Sequence, residues 1–403
     1  MYEYLLCMYD YILSKKDYKF GCAFIGWLSS MRLGHMHRGF SIRKPLKSGC
    51  SARGVCDLPF KYSYRIRRRL GYVRGAMLTY APFADDEPFL FHDYTLCGWR
   101  VASALPLPDL MPWAGDDQAP DLTIDLGRAP ERLSDLTVDR PLLQVSVDGT
   151  CRFAIPGVAA YLINPTGTRV TIDPALPLNA PDIRVFLLGT VFGVLCYRRG
   201  LLPLHASCVR IGDAAVALAG PSGIGKSTLA AAFLQRGHAV LADDVTVVDI
   251  AAPAGPRVLP AFPRLKLWRD AINRMKLSVD GLERTGSTIE KYNFPVFKSF
   301  NTEPLPLAAV ICLDGADNGG GGRLRGATAV ERIHRHVYRR SLIALLGKTD
   351  LVLPSLLAVA LAPCGIWSVN NKHNAASTER TIATIVEKSV RTGQGRSTLA
   401  VCR

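Results

Sequence analysis

Two groups of side chains in this sequence are suited to chemistry on phosphate: Lys226 with Ser227, and the adjacent carboxylates Asp243 and Asp244. The first pair closes the string Gly220-Pro221-Ser222-Gly223-Ile224-Gly225-Lys226-Ser227-Thr228, a full G-x-x-x-x-G-K-[ST] pattern. Glycines at 220, 223 and 225 let the backbone turn tightly and aim successive N–H groups at one anion, so that amide dipoles surround a β-phosphate. The Lys226 ammonium places a point charge near the β- and γ-phosphates, and the Ser227 hydroxyl is suited to ligate Mg²⁺. The pattern therefore points to a bound nucleoside triphosphate.

Asp243 and Asp244 end a short apolar run, His238-Ala239-Val240-Leu241-Ala242. A strand–helix–strand unit would lay that run parallel and close to the strand before the loop, with both C-terminal ends aimed at the phosphates. Adjacent residues at a strand end project differently. One carboxylate can then face Mg²⁺ while the other approaches an incoming hydroxyl as a general base. A plain metal site with a solvated second Asp is the other reading. His205 enters from upstream: Leu202 to Arg210 reads as a strand and Ile211-Gly212-Asp213 as a tight turn into the loop strand, which brings His205 to the phosphate end of the sheet. A structural and a catalytic role for it both remain open.

The elements that must position these groups follow from hydrophobic pattern. Ala214 to Ala219 is an apolar run of buried-strand type. Ser227 to Arg236 is helix-compatible, with Leu229 and Phe233 four apart and Gly237 as a stop. An apolar helix is expected over Ile183 to Arg198, and later strands over Leu307 to Leu313 and Gly365 to Val369. The apolar stretch Leu351 to Ala362 is too short to span a bilayer and reads as a buried helix. From 77 to 175, short alternating stretches separated by Asp-Gly and Pro-Thr-Gly turns predict a small β-rich domain, either positioning a substrate or serving as a cap. The expected fold class is α/β: a P-loop domain over 182–390 preceded by that β-rich domain, with a loose tail at 391–403.

The run from Leu204-His205-Ala206-Ser207 through the loop to Arg236-Gly237-His238 and Ala242-Asp243-Asp244 resembles the kinase domain of HPr kinase/phosphorylase and its relatives, among them the serine kinases of lasso-peptide clusters. The resemblance extends more weakly from about Asp93 to Val390, through Arg198-Arg199-Gly200-Leu201 and Pro263-Arg264-Leu265-Lys266-Leu267-Trp268. It implies ATP and Mg²⁺, an active site of His205, Lys226, Ser227, Asp243 and Asp244, and transfer of a γ-phosphoryl group to a serine hydroxyl. Because relatives can form hexamers, it also admits a homo-oligomer. The Glu-x-Arg-Gly signature of HPr kinase/phosphorylase is missing from this sequence. That departure favours the branch that phosphorylates a serine of a ribosomally made precursor peptide, and it sets aside HPr as substrate.

Composition narrows the class further. Residues 1–76 carry 15 Lys and Arg against 4 Asp and Glu, whereas the rest carries 34 against 30, so the formal charge of +15 belongs mostly to the front segment. The nearly balanced body does not suit a nucleic-acid binder. The basic patch Arg65-Ile66-Arg67-Arg68-Arg69 reads as a docking arm or a solvated arm, and Met77 as an alternative start. The 11 cysteines contain no C-x-x-C pair, which argues against a disulfide framework or zinc site and fits a cytoplasmic protein. Asn371-Lys372-His373-Asn374 lacks the Asp that a GTPase uses to read guanine, and the ABC-type signature is missing. Two functions stand: a serine kinase acting on a peptide or small protein, and a nucleotide-responsive binding protein without transfer.

Overall fold

The computed structural model describes residues 91–286, 290–315, 321–362, 365–371 and 378–389. The expectations for residues 1–76 and for the tail at 391–403 lie outside them, as does the first half of the Gly319–Gly322 run, whose four glycines favour a flexible loop. From His92 onward the described residues belong to one compact unit.

Nine strands build its first sheet: β1 (His92–Leu96), β2 (Trp99–Ser103), β3 (Met111–Pro112), β4 (Leu122–Leu126), β5 (Leu136–Arg140), β6 (Leu143–Ser146), β7 (Cys151–Ile155), β8 (Ala159–Ile163) and β9 (Arg169–Pro174). Their order is β3-β1-β2-β4-β9-β8-β7-β6-β5. Burial alternates along β4, where Leu122, Ile124 and Leu126 face inward, and along β8, where Ala159, Tyr161 and Ile163 do. This is the period of a sheet with one covered face. Gly149 and Gly167 take the positive φ that their tight turns require.

A helical run then carries the chain between sheets: α1 (Pro181–Phe186), a π-helical stretch (Leu187–Val191) and α2 (Phe192–Arg198). It is apolar nearly all round and buried nearly all round. One apolar core extends from Tyr94, Ile124 and Phe153 through Phe186 and Phe192 to Leu202, Leu241 and Val310, so the two sheets share it. Gly193 leaves room for the Tyr338 ring, which an added Cβ would meet at 3.3 Å.

The second sheet contains β10 (Leu202–Leu204), β11 (Ala206–Ile211) and β12 (Ala214–Ala219), then, after helix α3 (Lys226–Leu234), β13 (Val240–Ala242), β14 (Thr246–Asp249) and β15 (Arg257–Leu259). A separate ribbon follows, β16 (Arg264–Trp268) paired antiparallel with β17 (Lys291–Pro295), with α4 (Arg269–Arg274) between them. The chain returns to the sheet as β18 (Leu305–Asp314), passes β19 (Arg323–Leu324), α5 (Gly326–Arg335), α6 (Ser341–Leu345) and α7 (Thr349–Leu361), and adds β20 (Gly365–Asn370). The order is β10-β14-β15-β18-β12-β11-β13, with β20 also on β18. Strands β12, β18 and β20 are parallel, so Ala219, Asp314 and Asn370 end on one edge.

Two expectations are corrected. The strand ending in Asp243 runs parallel to the loop strand but is not its neighbour: the hairpin partner β11 lies between them, antiparallel to both. The Gly212-Asp213 turn folds β11 back onto β12 and so fills the adjacent position. Helix α7 is not buried all round either. Val352, Leu356 and Val359 face the core, while Leu353 and Leu361 are 58% and 77% exposed. Among the described residues no helix is long and apolar enough to cross a membrane.

Candidate active site

The nine-residue loop string starts where β12 ends. Ile224 anchors it in a second apolar cluster with Leu218, Leu229, Phe233 and Ile311, leaving Pro221, Ser222 and Gly223 exposed. Gly220 is fixed by space: an added Cβ would lie 2.8 Å from Ile224 Cγ2 and 3.2 Å from the Leu313 carbonyl oxygen. Gly223 and Gly225 are fixed by conformation, with φ of +82° and +92°. Gly225 caps α3 without a side-chain hydrogen bond, so the helix start at Lys226, Ser227 and Thr228 turns its first backbone N–H groups toward the loop, donors of the kind that bind anions. Asn371 steadies this arch from β20, its Nδ2 donating to the Ile224 carbonyl at 2.8 Å.

Lys226 is buried, and its ammonium lies 2.9 Å from the Gly220 carbonyl, 3.1 Å from that of Pro221 and 3.1 Å from His205 Nε2. The other ring nitrogen of His205, Nδ1, is 3.1 Å from the Asp244 carbonyl oxygen. Burial and the Lys226 charge lower the His205 pKa to about 4. A neutral ring donating from Nδ1 to Asp244 and accepting at Nε2 satisfies both contacts.

The two carboxylates occupy different environments. Asp243 is fully buried and accepts three hydrogen bonds: from Ser207 Oγ at 2.5 Å, from Ser227 Oγ at 2.9 Å and from the Lys266 backbone N–H at 2.7 Å. Asp244 takes a left-handed φ of 72°, an uncommon conformation for a residue with a Cβ. One of its oxygens is 2.7 Å from Lys266 Nζ and the other is 3.6 Å from His205 Nδ1. Burial works to raise its pKa, but Lys266, His205 and Lys291 override that and hold the carboxyl well below the usual carboxylate range.

The structure thus brings His205, Lys226, Ser227, Asp243 and Asp244 together around the loop. It also places residues there whose roles the sequence did not disclose. Ser207 lies on β11, two positions beyond His205, which sits at the bend between β10 and β11 that breaks the expected Leu202–Arg210 strand. Lys266 is marked only as part of the Pro263-to-Trp268 segment of the resemblance and of the basic stretch, without a role, and His336 carries no signal. The carbonyl of His336 accepts the His205 N–H at 2.7 Å, and burial, Lys226 and Arg332 lower its own pKa to about 4. Of the basic stretch Arg264, Lys266, Arg269, Lys276 and Lys291, which the sequence gives as solvated surface charge or as a hold on the nucleotide or an acidic substrate, Arg264, Lys266 and Lys291 are buried, Arg269 is half-buried and Lys276 is exposed. Arg264 pairs with Asp109 at 2.7 Å and Lys266 with Asp244, so the buried part is an interior ion-pair network.

The donor set fits a Mg-nucleotide: backbone N–H groups at a helix start, a lysine at the loop, and a serine hydroxyl beside a fully buried carboxylate. Among the described residues no group of three or more His, Cys, Asp or Glu could by itself hold a metal ion. Cys97, Cys151, Cys196, Cys208 and Cys312 are free and buried. No family model matches the chain, and no curated protein matches it. Among solved structures, the Hpr(Ser) kinase/phosphatase from Coxiella burnetii is similar over 50% of this chain and 98% of its own, at 13% identity and a TM-score of 0.30.

Proposed function

We propose that this protein is an ATP-dependent serine kinase that transfers the γ-phosphoryl group of ATP to a serine hydroxyl of a peptide or small protein, a ribosomally made precursor peptide being the acceptor the sequence resemblance favours. The observation that carries this reading is the convergence of two unequal carboxylates on the loop. Asp243 touches the Ser227 hydroxyl, whereas Asp244 stands beside His205 and so beside Lys226. A nucleotide sensor has use for a metal-side acid, but not for a second, half-buried carboxylate held ionised beside the histidine that meets the lysine.

In this reading the loop N–H groups and Lys226 bind and orient the phosphates, and Ser227, Asp243 and Asp244 would hold Mg²⁺. Mg²⁺ neutralises phosphate charge when bound. The serine oxygen of the acceptor forms a bond to the γ-phosphorus as the bond from that phosphorus to the bridging oxygen of ADP breaks, and ADP leaves with the electron pair. Asp244 takes the hydroxyl proton. His205, neutral, fixes the Asp244 backbone through Nδ1 and meets Lys226 through Nε2. Positioning and charge stabilisation supply most of the acceleration in phosphoryl transfer, and this site offers both.

The test is a mass-spectrometric transfer assay on the full chain with Mg-ATP and the precursor peptides encoded beside its gene. A gain of one phosphate on a serine, lost in Lys226→Ala, is the expected result. Nucleotide binding without transfer to any of these peptides would turn the assignment to the nucleotide-responsive binding protein.

A further inference from the structure

The ribbon of β16 and β17 has two faces of opposite character. Side chains alternate along a strand, so Leu265, Leu267 and Tyr292 point one way, into the second apolar cluster with Leu229 and Phe233 of α3. Arg264, Lys266 and Trp268 point the other way, with Asn293 opposite Lys266 and Lys291 opposite Trp268 on that same face. The face begins at the buried ion pair of Arg264 with Asp109 and passes the contact of the Lys266 ammonium with Asp244 at 2.7 Å. It ends at Trp268, which is 40% exposed and has the Lys291 ammonium 5.7 Å from its ring centroid. Leu265 and Leu267 already seat the ribbon, so the open part of the indole is surface left for a ligand.

Position and charge identify what covers it. Trp268 stands two residues beyond Lys266, a step of about 7 Å along the strand from the residue that touches Asp244. In the kinase reading Asp244 faces the γ-phosphate and the acceptor serine, whereas the base hangs from the α-phosphate at the other end of the triphosphate. An extended acceptor with its serine at Asp244 brings the side chain two residues away to the same side and about 7 Å along, onto the indole. Around the ring, Arg269 and Arg284 share one carboxylate, Glu290, at 3.3 and 3.9 Å, Lys291 stands beside them, and Asp270 is matched by Arg274. This positive surround suits an acidic segment.

We propose that Trp268, backed by Lys291, is a specificity-determining residue for the acceptor: it takes an apolar or aromatic side chain two residues from the phosphorylated serine, in a segment that carries carboxylates. This rests on the kinase reading above for the place of the serine, while the platform itself stands on the geometry of the ribbon.

The test compares the full-length wild type with Trp268→Ala and Trp268→Phe, using fluorescein-labelled precursor peptides encoded beside the gene. Binding is read by fluorescence anisotropy, transfer by mass spectrometry and folding by circular dichroism. Trp268→Ala should weaken peptide binding and raise the KM for peptide about tenfold or more, while kcat and the KM for ATP stay within about threefold and Trp268→Phe recovers most of the loss. Peptides with Ala two residues before or after the serine should lose as much against wild type on one of the two sides, and nothing further against Trp268→Ala. Changing the peptide carboxylates to amides should weaken binding about threefold or more. Unchanged peptide affinity in a folded Trp268→Ala overturns the proposal, as does a wild type that binds none of the peptides. A rise confined to the KM for ATP overturns it too and gives the ring to the nucleotide base. Trp268-dependent binding of a peptide that gains no phosphate keeps the platform and removes the kinase reading instead.

Discussion

Asp243 and Asp244 are neighbours in sequence and opposites in environment. Three donors surround the first, and a lysine and a histidine flank the second. Substituting either by Asn keeps the shape and removes the charge. Both variants should lose transfer, measured as phosphate gain by mass spectrometry, while binding of a fluorescent ATP analogue stays within about tenfold of wild type. Unchanged transfer in both would dismiss the roles given to them. Loop glycines allow a sharper test. Gly220→Ala drives a methyl into Ile224 and the Leu313 carbonyl and must displace the arch, so affinity for the analogue should drop by more than about tenfold, with β12 and α3 otherwise intact. At this scale the sequence was most informative where the chemistry is contiguous. The loop and the Asp pair each sit within one short string, and His205 follows from a strand and its turn. Lys266 and His336 reach the site through tertiary packing, which leaves no local pattern.

The elements around the site show the same division. The alternating stretch Arg169-Val170-Thr171-Ile172 falls in β9, and the Gly-Asp turn makes the β11–β12 hairpin legible. The insertion of β11 between the loop strand and the Asp strand is not legible, because a short apolar strand carries no mark of its neighbour. The ribbon of β16 and β17 misleads for a related reason. Its cations look like a solvated surface until their partners, distant in sequence, are supplied. Asp109 is the largest of these partners, buried and held by Arg184 and Arg264, which together pull its pKa down against burial. Removing it strands the buried Arg264 guanidinium and leaves Arg184 with Glu283 alone. Asp109→Ala should therefore destabilise the protein by about 3–5 kcal/mol in urea unfolding. A change below about 1 kcal/mol would mean that the ribbon is braced elsewhere. Loss of this anchor should also reduce transfer, since Lys266 rides on the same strand.

For the molecule as a whole, the basic excess lies in residues 1–76, while the site is built from buried groups in a nearly balanced body. Its response to acid follows from those groups. His205 and His336 are pushed down to about 4, chiefly by burial and then by Lys226, against an ordinary value of 6.5. Between these values the unfolded chain binds protons that the folded chain refuses, so stability must fall as pH drops from about 6.5 toward 4. Asp109 and Asp244 act in a lower window. Their folded pKa values lie below the ordinary 3.8, so the stability they contribute is fully present above that value and disappears only beneath it. Thermal unfolding followed by circular dichroism should show a midpoint that declines steadily from pH 7 to pH 5. The decline should be shallower in His205→Asn and His336→Asn, and shallowest in the double variant. A midpoint that stays level through that range, or a slope equal in all four proteins, would show that these histidines are protonated freely in the folded state. The neutral His205 that meets Lys226 at the loop would then be wrong.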